Sequence, residues 1–467
     1  MIRHFFAALT RNVISLVGVL AAIVGFVLIV SLIVVQLLGY EGGPYLGILT
    51  YLVFPAVLLL GLLLVPFGLW LQRRREKKAA GGALPLPVFD LNDARTRGQI
   101  ALFLVGTMIA TIVLAGATYK GVHVMESTEF CGQACHSVMQ PEATAHARSP
   151  HSKVACAECH IGAGADWFVK SKISGSWQLI AVAFDLYPRP IPSPVHNLRP
   201  ARDTCEQCHT PTKFTGDRLK VRTHYDVDEA NTELKTVLMV HVGGQKGKSA
   251  SGIHWHVGEG VSIRYLTDAK REKIYDVELT NPDGTKKLFK APEAAPAGSE
   301  WRQMDCIDCH NRPTHIYRDP DHEVNAALED GRIDTSLPFV KREALRVLQV
   351  AYPSHDAARA GIAAEIEKFY RDNYPQVLAE RASAVKQAGV ALGDIYSWNV
   401  FPQMKVTWNT YPDHIGHKQS PGCFRCHDNK HVAKTAAKDE KIGKKCSTCH
   451  NIVAEDEAEP EVLKALE

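Results

Sequence analysis

The chain has 467 residues, with 53 Lys and Arg against 50 Asp and Glu and a net charge of +3 at pH 7 when histidine is neutral. So small an imbalance supplies no charge argument for a polyanionic partner, and the basic cluster at residues 73–78 reads as a membrane-topology signal rather than a nucleic-acid patch. The unusual part of the composition is its 12 cysteines and 21 histidines.

Residues 13–38 run from Val13 to Leu38 without a charge, long enough to cross a hydrocarbon core of about 30 Å. A Gly-rich turn from Gly39 to Tyr45, with Glu41 as its one acid, leads into a second apolar run at 46–71, and a third spans Ile100 to Thr118. The first run is too long for the core of a cleaved signal peptide and another span follows at once. Residues 1–119 are therefore expected to form an anchor of three transmembrane helices. Arg3 and Arg11 precede the first run, and no Lys or Arg separates it from the second. Arg73, Arg74, Arg75, Lys77, Lys78, Arg95 and Arg97 lie between the second and third. The positive-inside rule then puts the amino terminus and the loop 72–99 in the cytoplasm and everything after residue 119 outside. Gly81-Gly82, Pro85 and Pro87 mark that loop as an irregular connector.

Beyond the anchor all twelve cysteines fall into six pairs, each followed at once by a histidine. Five have the form C-x-x-C-H: Cys156/Cys159/His160, Cys205/Cys208/His209, Cys306/Cys309/His310, Cys423/Cys426/His427 and Cys446/Cys449/His450. The first, Cys131/Cys135/His136, has one more residue between its sulfurs. C-x-x-C-H is the attachment signature of c-type haem: the thiols form thioethers with the porphyrin, and the histidine ligates the iron from one face. A zinc ribbon also pairs cysteines but needs no histidine after each pair, and a thioredoxin-like motif occurs once beside a βαβ unit. The chain thus reads as a hexahaem cytochrome c that carries electrons. Haem attachment of this kind takes place outside the cytoplasm of bacteria, which agrees with the charge argument for a multi-pass inner-membrane protein with its haem domain in the periplasm.

Motif spacing divides this region. Haems 1–3 belong to residues 120–215, followed by an insert at 216–300 that looks β-rich. Leu219–Thr223, Lys235–Val242, Val261–Leu266, Ile274–Leu279 and Lys286–Lys290 are strand-like, and Asn281-Pro282-Asp283-Gly284 is a hairpin signal. Residues 301–453 hold haems 4–6 and a helical insert at 322–400, with apolar recurrence over 340–351, 356–373 and 376–396. The acidic tail 454–467 is expected to fray. The fold class is a membrane-anchored multihaem cytochrome c: three transmembrane helices, then a mainly α and irregular haem domain with a small β-rich insert.

A second axial ligand decides whether a haem only transfers electrons or binds a substrate. Candidates near the motifs are His151, His254, His256, His315, His414, His417 and His431, with Met139 for the first haem. In a strand, His254 and His256 point to one face.

The stretches Glu129-Phe130-Cys131 to Met139, Ser149-Pro150-His151-Ser152-Lys153, Cys156-Ala157-Glu158-Cys159-His160, Phe168-Val169-Lys170-Ser171-Lys172 and Arg199-Pro200-Ala201-Arg202-Asp203-Thr204-Cys205 to His209 carry a resemblance. Over residues 120–215 the chain resembles the NapC/NirT family of membrane-anchored multihaem quinol dehydrogenases, which includes NrfH/CymA-like proteins. It departs from the family pattern in having three spans rather than one, six haem motifs rather than four, and an extra residue in the first motif. The resemblance implies oxidation of menaquinol next to the first haem and relay of electrons to a periplasmic cytochrome or reductase. It also points to Lys170 and Lys172 as quinol-site lysines. Asp185 is a candidate acidic partner, with His123 and Glu126 where the third span emerges. The rival readings are a conduit fed by a protein donor and a terminal reductase acting at an open haem.

Overall fold

The computed structural model describes residues 12–38, 49–79, 91–134, 136–161, 165–195, 200–210, 216–244, 251–435 and 438–466. The chain forms two compact units, residues 1–136 with 155–157, and residues 137–154 with 158–467.

In the first unit three helices are long and apolar enough to cross a membrane: α1 (Val13–Leu37), α2 (Phe54–Ala79, entered through a π-turn at Leu49–Val53) and α3 (Ala94–Met125). The expected turn at Gly39–Tyr45 and residues 80–90 of the loop lie outside the described residues. α2 continues eight residues past the apolar run because Arg73, Arg74, Arg75, Glu76, Lys77 and Lys78 are good helix formers. Asp93 starts α3, its carboxylate accepting hydrogen bonds from the Arg95 and Thr96 amides at 3.3 and 3.0 Å. α1 and α2 pack closely through glycine. A Cβ at Gly61 would come within 2.5 Å of the Ala22 backbone nitrogen, and one at Gly18 within 2.9 Å of the Gly61 carbonyl. Lipid gives no hydrophobic drive for helix pairing, so such small-residue contacts are what let the two backbones approach. The first motif follows in a π-turn, Phe130–Ala134, whose wider winding takes up its extra residue. Cys135 lies outside the described residues, as does the side chain of His136.

The second unit opens with α4 (His136–Ala147) and α5 (Ala165–Ala183). Two antiparallel sheets follow. The first has order β1-β2-β9, from β1 (Arg218–Tyr225), β2 (Glu233–Val240) and β9 (His450–Glu457). The second has order β6-β3-β4-β5-β7-β8, from β3 (Ser262–Thr267), β4 (Ile274–Thr280), β5 (Lys286–Lys290), β6 (Glu300–Gln303), β7 (Val432–Ala433) and β8 (Glu440–Lys441). The β4–β5 turn falls at Asn281–Gly284, closed by Asn281 N–H to the Thr285 carbonyl at 2.9 Å, with Gly284 in the left-handed region at φ 82°. Both sheets recruit strands from near the carboxyl terminus. The tail therefore does not fray at its start: Ala454 and Glu457 pair with Val237 and Lys235 of β2, and Ala454 is buried.

Four helices, α6 (Pro320–Glu329), α7 (Val340–Leu348), α8 (His355–Asn373) and α9 (Pro375–Asn399), build a core of their own. Val324, Leu337, Val347, Leu348, Ile362, Ile366, Leu392 and Ile395 are wholly buried in one cluster. α9 breaks at Arg381, where the backbone is not helical. The first sheet is tied to this lobe by Asn325, whose side-chain oxygen accepts from Tyr225 N–H at 3.1 Å, and by Asn231, which donates to the Leu337 carbonyl at 2.8 Å.

Candidate haem-binding centres

Each motif is short enough to fold as a single turn. His209, His310 and His427 each donate their backbone N–H to the carbonyl of the first cysteine of the motif, at 2.8, 2.8 and 3.1 Å. Cys156–His160 is likewise one helical turn. This i to i+4 bond sets both sulfurs and the following imidazole around one turn, the arrangement that two thioethers and an axial nitrogen require. The fourth motif is capped by Asp305, whose carboxylate accepts from Cys306 N–H at 2.7 Å and from Ala201 N–H at 2.8 Å. That second bond joins it to the turn carrying Cys205.

Five of the motif histidines face a second imidazole. The ring-centre separations are 6.0 Å for His209 with His151, 6.2 Å for His160 with His315, 6.5 Å for His310 with His254, 5.8 Å for His427 with His256, and 6.2 Å for His450 with His417. Two imidazoles bound through nitrogen at about 2 Å to opposite faces of one metal have ring centres roughly 6 Å apart. The donor set therefore fits c-type haem with a histidine on each face at five motifs. The Nδ1 atoms of His151, His254 and His256 lie 3.1, 3.0 and 2.7 Å from the carbonyls of Pro313, Val242 and Ile253. A carbonyl only accepts, so these Nδ1 atoms carry the proton and the Nε2 lone pairs remain for a metal. Burial also keeps His315 neutral, pushing its pKa down to about 4.

His254 and His256 do not lie in a strand. Gly252, at φ 68°, turns the backbone, and Ile253–Val257 forms a 3-10 turn. The two rings thus diverge to serve different motifs, the fourth and fifth. The turn is set in place by β2: His241 N–H bonds the Cys449 carbonyl, and Ile253 and His254 N–H bond the carbonyls of His241 and Val242. His414 and His431 are not brought into such pairs among the described residues. His431 is buried, with Nδ1 3.0 Å from the Asp428 carboxylate and Nε2 3.3 Å from the Ile274 carbonyl, which uses both nitrogens structurally. His414 is buried beside the fourth motif, its backbone N–H bonded to Asn311 at 2.8 Å. Met139 packs against the small cluster of Val138, Tyr317 and Met404.

The third to sixth motifs adjoin one another. The Cys205 and Cys306 thiols are hydrogen-bonded, which pushes Cys306 well up from its ordinary value. Cys309 lies within electrostatic reach of both Cys423 and Cys426, and Cys449 within reach of Cys423. Cys208 is exposed where its partner Cys205 is half-buried. Its backbone N–H, bonded to the Cys205 carbonyl at 3.2 Å, is what holds it in the turn of the third motif. The third and fourth motifs thus meet through the Cys205–Cys306 contact and the Ala201–Asp305 hydrogen bond.

α5 carries Lys170 and Lys172 in its first two turns and then an apolar stripe in solvent. Ile173, Trp177, Ile180 and Phe184 recur at helical spacing with exposures of 68, 60, 46 and 72%. Asp185, at the end of this helix, pairs with Arg189, and that hydrogen bond holds its carboxyl below the usual range. Sequence reasoning missed Glu142. It lies on α4, its Oε2 3.0 Å from Nδ1 of His315, at a separation of 173 residues that no local pattern reveals.

Cysteine pairs each completed by a histidine, on a chain with three membrane-length apolar helices, define a membrane-anchored c-type cytochrome. The N-terminal region of the NapC/NirT cytochrome c family matches residues 94–189. Cytochrome c-type protein ImcH of Geobacter sulfurreducens is 43% identical over 454 residues, covering 95% of this chain and 88% of that protein. The chain belongs to the NapC/NirT cytochrome c family and works in electron transfer at a membrane. No solved structure matches it.

Proposed function

We propose that the chain is a hexahaem quinol dehydrogenase of the bacterial inner membrane that oxidises menaquinol and delivers electrons to a periplasmic cytochrome or reductase. The observation that carries the quinol reading is α5, which presents two lysines and an exposed apolar stripe on one helix directly after the second motif. A lipid-borne, apolar donor needs such a surface, and aromatic residues such as Trp177 and Phe184 suit the membrane–water boundary. Oxidation of a quinol to a quinone releases two electrons and two protons. Lys170 and Lys172 would donate hydrogen bonds to the quinol oxygens and stabilise the negative charge that develops as the protons leave to water, and Asp185, held ionised by Arg189, supplies a fixed negative charge nearby in sequence.

When bound, c haem supplies reversible one-electron chemistry. The polypeptide would hold one such group at each motif through the cysteine pair and His136, His160, His209, His310, His427 and His450. His315, His151, His254, His256 and His417 would supply the second histidine at motifs two to six, which would leave those sites without an open position for substrate. That favours relay over terminal reduction. The adjoining motif turns from Cys205 through Cys306, Cys309, Cys423 and Cys449 keep successive sites close. The positive-inside pattern supports a cytoplasmic basic loop and a periplasmic haem domain.

Stopped-flow spectroscopy with a reduced menaquinol analogue tests the proposal. The expected result is fast, inhibitor-sensitive growth of the reduced haem α-band, slowed roughly 10²-fold in a Lys170→Met/Lys172→Met variant while dithionite reduction is unchanged. Protein that dithionite reduces and quinol does not would instead be a conduit fed by a protein donor.

A further inference from the structure

The imidazole pairs are not equivalent in what stands behind them. His151, His254, His256 and His427 each direct Nδ1 at a backbone carbonyl, at 3.1, 3.0, 2.7 and 2.8 Å. His315 also has a backbone carbonyl, that of Glu142, at 3.2 Å, but the Glu142 side chain turns back onto the same nitrogen, with Oε2 at 3.0 Å. That oxygen is buried, and the Tyr317 hydroxyl lies within hydrogen-bonding reach of the same carboxyl group. The nearest cation, Arg312, is farther away, with Nη1 3.9 Å from Oε1, and its guanidinium is stacked over the Tyr411 ring at 4.1 Å. The Glu142, His315 and Arg312 side chains are 19, 22 and 9% exposed, so solvent screens this charge poorly.

We infer that Glu142 is a positioning residue that lowers the reduction potential of the haem held by His160 and His315, setting the second site apart from the other histidine-paired sites. Adding an electron to that site would make it more negative, and the ionised form of Glu142 against the His315 imidazole would oppose this. Its negative charge 3.0 Å from the ring nitrogen would also raise the basicity of the opposite nitrogen, which favours the oxidised metal. This inference rests on the reading of His160 and His315 as ligands of one iron.

The test uses the full-length holoprotein in detergent, with spectropotentiometric titration and low-temperature EPR of Glu142→Gln and Glu142→Asp. The expected result for Glu142→Gln is unchanged haem content, one midpoint moved upward with the others in place, and altered g-values of a single low-spin signal. Glu142→Asp, which keeps the charge, is expected to fall between this variant and the parent. Superimposable titrations and g-values for the parent and both variants would overturn the role of Glu142. A separate arm examines the ligands: His315→Ala is expected to turn one low-spin signal high-spin. If it leaves the spectrum of the parent, the ligand reading itself fails, whatever Glu142 does.

Discussion

Replacing Cys306 and Cys309 together by alanine is expected to lower covalently bound haem by one per chain and to sever the relay near its middle. Pyridine haemochrome per mole of protein reads the first effect. The second follows from position: Cys306 lies against Cys205 of the third motif, and Cys309 within reach of Cys423 of the fifth. Removing the fourth site therefore opens a gap between the third and the fifth. Quinol is then expected to reduce in the fast phase only haem on the near side of the gap, with the rest reduced slowly or by dithionite alone. The same change at Cys446 and Cys449 also removes one haem, but from the end of the series, so the fast phase should lose only that haem's share. Equal fast-phase losses in the two variants would refute the order of sites.

Leu392→Ala is expected to destabilise the helical lobe by about 2–5 kcal/mol, since the side chain is wholly buried among Ile362, Ile366 and Ile395 and leaves a cavity. Thermal unfolding followed by far-UV circular dichroism reads this loss. Haem content is expected to stay at that of the parent, because this cluster is built from helix side chains packed on one another. A loss of haem in Leu392→Ala would mean that the lobe shares its core with a porphyrin.

The parts of this protein that were legible in sequence are those whose physics is local. A c-type attachment site needs two thiols and an imidazole on one turn, so spacing alone reveals it. A membrane span is a length of uncharged chain, and α1, α2 and α3 follow the three apolar runs, α2 and α3 extending at their charged ends. The β4–β5 hairpin announces itself through Asn281–Gly284. His254 and His256 show the limit. Alternation alone reads as a strand, but the glycine at 252 turns the backbone, and each ring goes to a different motif. Cys205 and Cys208 show it again: spacing makes them equivalent, yet Cys205 is half-buried against Cys306 while Cys208 is exposed.

The sequence by itself determined the attachment chemistry, the count of motifs, the membrane anchor and the family. Each depends on residues within a turn or a span of one another. Only the tertiary structure decided which histidine faces which: His315 reaches back to His160, His151 forward to His209, and His254 and His256 across to His310 and His427. These choices depend on β2 pairing with β9 and on the loop after His310, and so on contacts between segments far apart in the chain. It also decided that His431 is structural and that Glu142 stands behind His315, because what a side chain does when buried is set by neighbours that sequence proximity does not reveal.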